Sequence, residues 1–257
     1  MRFDGKSVLI TGAAGGFGSR AAEMFSERGA RLVLSDLDAG ALSDVVDTLD
    51  GDAVGLPGDV TDPEYHHDLV DLALQEYGGL DVAVNNAGIV QPMARIPDTD
   101  IDMAQKVIEV DLLGVFYALQ AQLPVMATRF DEEGTPAAIV NLASAAGLLG
   151  SPFLGIYAAA KHGVVGLTKT AAAEYGRKGV RVNAVCPSFA NTRMLTDYLD
   201  AAPKGREQAE YALTHNIPMQ RVGQVDEVVQ AILFAAHADN SFMTGETLSV
   251  DGGLTAI

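Results

Sequence analysis

A chain of 257 residues, 48% hydrophobic and 20% charged without low-complexity tracts, is long enough for one large core and excludes the disordered and fibrous classes. Its 34 acidic against 17 basic residues leave a net charge of -17, which argues against nucleic acid or anionic membrane as a partner, because both are gripped by clustered Lys and Arg. The single cysteine, Cys186, allows no internal disulfide and agrees with a reducing cytoplasm; the start MRFDGKSVLI carries no secretory apolar region, and no 18-residue membrane span is read.

Short β-branched or apolar runs alternate with longer helical patterns. SVLIT at 7–11 precedes a helix to about Gly29, and RLVLSD at 31–36 precedes one over about 40–49. AVGLPGDV at 53–60 leads to a helix over about 63–77, its start marked by Asp62 as cap and Pro63 at the first helical position. LDVAVNN at 80–86 precedes a long helix from about Ile101 to Arg129, AAIVNLAS at 137–144 the helix holding YAAAK, and VRVNAVCP at 180–187 a set of polar helical segments. Cys186 lies in that last apolar run and reads as a small buried filler. ETLSVDGG at 246–253 closes the chain as a last strand. The alternation predicts one α/β domain, a parallel sheet with helices on both faces and a ligand crevice at the carboxyl ends of the strands. Residues about 188–220, with Pro203, Gly205 and Pro218, break the rhythm and read as an insertion beside the crevice, a candidate lid.

TGAAGGFG at 11–18 follows the first strand directly. Glycines at such a turn let the backbone approach a pyrophosphate, which then rests on the N–H groups and positive dipole of the helix N-terminus. Gly12, Gly16 and Gly18 are spaced G-x-x-x-G-x-G. With NNAG at 85–88, Ser144 in IVNLASAAG, Tyr157-x-x-x-Lys161, Pro187 to Thr192, and TGETLSVDGG, the chain resembles the short-chain dehydrogenase/reductase family from Lys6 to Gly253. That resemblance implies a Rossmann-type, doubly wound parallel sheet of about seven strands, a nicotinamide dinucleotide cofactor and a homotetramer. It assigns Gly12, Gly15, Gly16, Phe17, Gly18, Leu37, Asn86, Ala87, Gly88 and Pro187 to the cofactor. It places Asp59 and Val60, taken as the end of the third strand, beside the adenine, and Thr192 and the backbone near Ala190 at the carboxamide end.

Asp36 ends the second strand, 24 residues after Gly12, where a carboxylate accepts hydrogen bonds from the adenosine ribose. A 2′-phosphate would meet a like charge, and no Arg or Lys follows in SDLDAGA, so NAD is expected over NADP. Tyr157 and Lys161 share a helix face. Bringing a phenol from about 10 to about 7.5 takes roughly 3.5 kcal/mol, and one cation at about 4 Å in an effective dielectric of about 20 supplies about 4 kcal/mol. The resemblance implies that Tyr157 exchanges the proton of an alcohol, that Ser144 holds the substrate oxygen, and that Lys161 also binds the nicotinamide ribose.

Two positions depart from the family pattern. VIEVDLLG carries Asp111 where Asn is usual; a carboxylate near Lys161 would favour the ammonium and partly offset its pull on Tyr157, shifting the pH optimum while activity is retained. Ser188 follows Pro187 where Gly is usual. His66, His67 and His162 read as structural or surface residues, and no metal cluster is read. The loops expected around the substrate are apolar, with Ala146 and Phe153 after Ser144 and Phe189 and Met194 after Pro187, which suits a neutral, fairly hydrophobic secondary alcohol or its ketone. A 3-oxoacyl-carrier-protein reductase shares every catalytic motif, although Asp36 and the lack of a basic patch speak against it; a redox sensor that binds NAD without turnover is the alternative from another class.

Overall fold

The computed structural model describes residues 1–200 and 205–257, and the side chains of all of these except Met194 and Tyr198. Among the described residues seven strands, β1 (Ser7–Thr11), β2 (Arg31–Asp36), β3 (Ala53–Pro57), β4 (Val82–Asn85), β5 (Ala137–Leu142), β6 (Val180–Pro187) and β7 (Thr247–Val250), form one sheet. All pairs are parallel, in the order β3-β2-β1-β4-β5-β6-β7. β1 and β5 are buried at every position, as expected of strands covered on both faces.

The period of two sorts their side chains between two cores. Val8 and Ile10 face a core built with α1 (Gly16–Ser26), α2 (Ala39–Thr48) and α9 (Val225–Ala236). Leu9 faces the other, built with α3 (Pro63–Tyr77), α5 (Gly114–Glu133) and α6 (Gly155–Tyr175). The chain runs outward from β1 to β3 and then returns to place β4 on the other side of β1. The crevice opens at that reversal, above the carboxyl ends of β1 and β4.

The structure corrects three expectations. β3 stops at Pro57: Gly58 N–H makes the last bond to β2, at Asp36 O, and Asp59 and Val60 fall in the following loop, where Asp59 accepts from Thr61 N–H. The expected helix over 101–129 is two helices, α4 (Ile101–Ile108) and α5, joined by a wide turn at Glu109–Leu113 in which Gly114 N–H reaches back five residues to Glu109 O. The run Ile101–Glu133 is also long and apolar enough by composition to cross a membrane, contrary to the reading of no such span; more than half of its most apolar 18-residue stretch packs inside the protein. Asp62 caps α3 through Glu64 N–H with Pro63 behind it, as the sequence indicated. Residues 188–220 contain α7 (Arg193–Asp200) and α8 (Arg206–Thr214); Pro203 lies outside the described residues.

Candidate active site

β1 ends at Thr11, and Gly12 turns the chain with φ of 65°. A Cβ on Gly12 would lie 2.9 Å from Ala87 Cα, and one on Gly18 would overlap Gly12 O, so neither position tolerates a side chain. Gly16, at φ 55°, passes below Thr192, whose Cγ2 would stand 3.7 Å from an added Cβ. Gly15 precedes α1 without any side-chain cap, so the first N–H groups of that helix remain for an anion. Asn86 braces the turn: its Nδ2 donates to Thr11 O and Gly12 O at 3.0 and 2.9 Å, while the Asn86 and Ala87 N–H groups bond Thr11 Oγ1.

Asp36 closes the cofactor end of the crevice. Its Oδ2 accepts from Ala14 N–H at 2.8 Å and its Oδ1 from Asp38 N–H at 3.2 Å, which fixes the carboxylate and leaves lone pairs for ribose hydroxyls. Gly12, Gly15, Gly16, Phe17, Asp36, Asn86, Ala87, Gly88, Pro187, Ala190 and Thr192 all line one cavity of about 760 Å³. Four expected contacts lie outside its wall. Gly18 serves the packing of the turn, Leu37 is exposed, Asp59 holds Thr61 N–H in its own loop, and Val60 gives its carbonyl to His66 Nε2. A glycine cradle with an uncapped helix and a fixed strand-end carboxylate fits a dinucleotide.

The cavity continues to Ser144, Tyr157, Lys161 and Asp111. α6 presents Tyr157 and Lys161 on one face, with Nζ 5.5 Å from the phenol ring centre. Lys161 is buried, donates to Leu142 O at 3.0 Å, and stands 3.2 Å from Asp111 Oδ2, an ion pair off the line of a hydrogen bond. Burial alone would push the ammonium down, but the carboxylate of Asp111 and then the phenol of Tyr157 hold it above the ordinary lysine range. The wide turn at 109–113 aims Asp111 inward; its Oδ1 accepts from Ile89 N–H at 2.8 Å, fastening the loop after β4. Ser144 leaves β5 in extended conformation; its Oγ accepts from Ala146 N–H at 3.1 Å and has only a long 3.4 Å contact to Pro187 O, so its proton can turn to a ligand.

On the substrate side Ala146 and Phe189 line the cavity, as expected, whereas Phe153 is half exposed with φ of 68° and lies outside its wall. The Met194 side chain is outside the described residues. Leu149, Leu154 and Leu195, from the apolar loops expected around the substrate, also form the wall, whereas the sequence reading missed Gln91, Leu213 and Leu254. Cys186 is buried next to Ser144, and burial pushes its thiol up to about 11, an inert filler.

A family model described as enoyl-(acyl carrier protein) reductase matches residues 12–255. The chain is a short-chain dehydrogenase/reductase. This member of the oxidoreductase family is 37% identical to cyclohexanol dehydrogenase of Acinetobacter sp. (strain SE19) over 258 residues, 99% of this chain and 97% of that one. The short-chain dehydrogenase/reductase fold superposes on levodione reductase with a TM-score of 0.92 at 32% identity, covering 99% of both chains. It superposes on a 3-ketoacyl-(acyl-carrier-protein) reductase from Brucella melitensis, complexed with NADH, with a TM-score of 0.89 at 30% identity, covering 98% and 99%.

Proposed function

We propose that the protein interconverts a neutral, fairly hydrophobic secondary alcohol and its ketone with NAD, as a homotetramer. The observation that carries this reading is the Lys161 ammonium, buried between Asp111 and Leu142 O beside the Tyr157 ring, in a cavity whose far end is the glycine turn. When bound, the nicotinamide supplies the hydride acceptor of the oxidation and the donor of the reduction. Ser144 Oγ holds the reacting oxygen. Tyr157 Oη takes the hydroxyl proton as the C–H pair of electrons leaves as hydride, and returns the proton in reverse. Lys161 keeps a positive field beside the phenol, and Asp36 meets the ribose hydroxyls where a 2′-phosphate would be repelled. Leu149, Leu154 and Leu213 give the substrate end an apolar wall, and the names of the cyclohexanol and levodione relatives support a ring-shaped substrate. Leu195 and Leu213 bring the 188–220 insertion to the cavity, in support of a lid there.

The test is steady-state oxidation of a panel of secondary alcohols, cyclohexanol first, with NAD and with NADP. Turnover with NAD at least about tenfold more efficient than with NADP is expected, and Tyr157→Phe should lose roughly 10²–10⁴-fold. The likeness to the Brucella melitensis enzyme favours carrier-bound 3-ketoacyl chains as the second reading. Efficient reduction of an acetoacetyl carrier protein with NADPH, and none of the alcohols, would replace the first reading by the second.

A further inference from the structure

Gln91, on the loop after β4, lines the cavity and is 2% exposed, yet it has no task in the proposed proton and hydride steps. Its Oε1 accepts from Tyr157 N–H at 2.9 Å. Tyr157 is the third residue of α6, and Leu154 before that helix has no side chain able to cap it, so Gln91 supplies from another loop the acceptor the first turn lacks. Ala94 N–H, bonded to Phe153 O at 3.0 Å, fastens the same loop to the segment entering α6. A backbone N–H can be met only by the carboxamide oxygen, which fixes the orientation of the amide. Nε2 is therefore the other end, and it is buried without a partner. An unpaired buried donor weakens a fold, and its retention is accounted for if a ligand completes it. Its neighbours in the wall, Val90, Pro92, Met93 and Leu154, carry no side-chain oxygen or nitrogen to accept from it. The nitrogen is shielded from bulk water, so a substrate oxygen that parts its cover meets a donor with no competing solvent, the condition under which a hydrogen bond discriminates most.

We propose that Gln91 Nε2 donates to a second oxygen of the substrate, so that the site favours secondary alcohols bearing a further hydroxyl or carbonyl, such as ring diols and hydroxyketones, over simple ones. This rests on the alcohol–ketone reading of the cavity. The experiment compares kcat/KM for cyclohexane-1,2-diol and cyclohexane-1,4-diol with that for cyclohexanol in the wild type, in Gln91→Met, and in Gln91→Glu at alkaline pH, where an ionised carboxylate still accepts from Tyr157 N–H but cannot donate. Loss of the helix contact alone would lower all substrates together, whereas loss of the donor lowers the diol-to-cyclohexanol ratio. A wild-type ratio of about 10 or more for at least one diol, falling about tenfold in both variants, is expected. Gln91→Glu carries the test if Gln91→Met does not fold. A wild type that favours cyclohexanol, or a ratio unmoved in the variants, overturns the assignment of Gln91 while leaving the alcohol reading intact. Absence of turnover with every alcohol removes both.

Discussion

At Lys161 two demands compete. Catalysis as proposed wants an uncompensated cation beside the phenol, whereas a buried ammonium wants a counter-charge, and this chain provides one in Asp111 at 3.2 Å. The groups facing the ammonium are Asp111 from the wide turn, Tyr157 one helical turn back, Cys186 from β6 and the Leu142 carbonyl from β5. Since Asp111 holds the lysine above its ordinary value, Lys161 stays cationic across neutral and mildly alkaline pH, and the carboxylate offsets part of its field at Tyr157. Alcohol oxidation needs the base deprotonated, so kcat/KM rises with pH, and the rise occurs at lower pH the better the phenolate is stabilised. Asp111→Asn should therefore move the acid limb of that profile down by about one unit. The loss of a buried partner should also reduce unfolding stability by roughly 1–3 kcal/mol in denaturant titration. An acid limb that stays in place would show that Asp111 serves only to hold Ile89 N–H. Asp111 was legible because it departs from a pattern that the rest of the chain keeps. Gln91 was not, because a glutamine in NNAGIVQP looks like any loop polar residue until its oxygen is found on the Tyr157 N–H.

The elements that bring these residues together were legible in unequal measure. Largely apolar runs gave β1, β2, β4, β5 and β6 within a residue or two, since burial on both faces leaves little other composition, whereas ETLSVDGG overran the end of the half-buried edge strand β7 by three residues. β3 ends three residues before Val60, because its last bond to β2 is Gly58 N–H to Asp36 O and Asp59 then turns onto Thr61 N–H, a change of direction that AVGLPGDV does not signal. The wide turn in 101–133 was invisible, because one extra residue in a helix barely disturbs its apolar period, although it redirects Asp111. Ser144 depends on another close approach. It starts a short turn, Ala145–Gly147, that lies on α6, and a Cβ on Gly147 would stand 2.7 Å from the Lys161 carbonyl oxygen. Backbone cannot give way as a side chain can, so Gly147→Ala should push the turn, and Ser144 with it, off the helix that carries Tyr157. The expected result is a loss of about 1–3 kcal/mol of stability together with at least a tenfold fall in kcat. Because NADH binding involves the distant glycine turn, its affinity, read by fluorescence, should change less than kcat; equal losses in both would point to general unfolding instead.

At the scale of the molecule, the reversal between β1 and β4 explains why residues as far apart as Gly12, Asp111 and Thr192 meet in one cavity, an arrangement the strand and helix alternation predicted. It leaves β7 at one edge of the sheet, and the segment between α9 and β7 exposes Phe242 completely, with Phe234 and the C-terminal Ile257 also exposed. Large apolar side chains in water mark contact surfaces when they gather, and an edge strand offers unpaired backbone groups for the same purpose. A partner surface from another copy would cover both, as the proposed homotetramer requires. Every chain carries a charge of -17, so assembly works against repulsion that salt screens over about 10 Å at 0.1 M. The protein should therefore have a native mass about four times its 26.9 kDa at moderate salt, with smaller species appearing as ionic strength falls. Phe242→Asp, which adds a charge to the exposed edge without touching the cavity, should favour the smaller species at every salt concentration in light scattering. A single-chain mass at all salt concentrations would overturn the homotetramer, and a mass unaffected by Phe242→Asp would place the contact on another face.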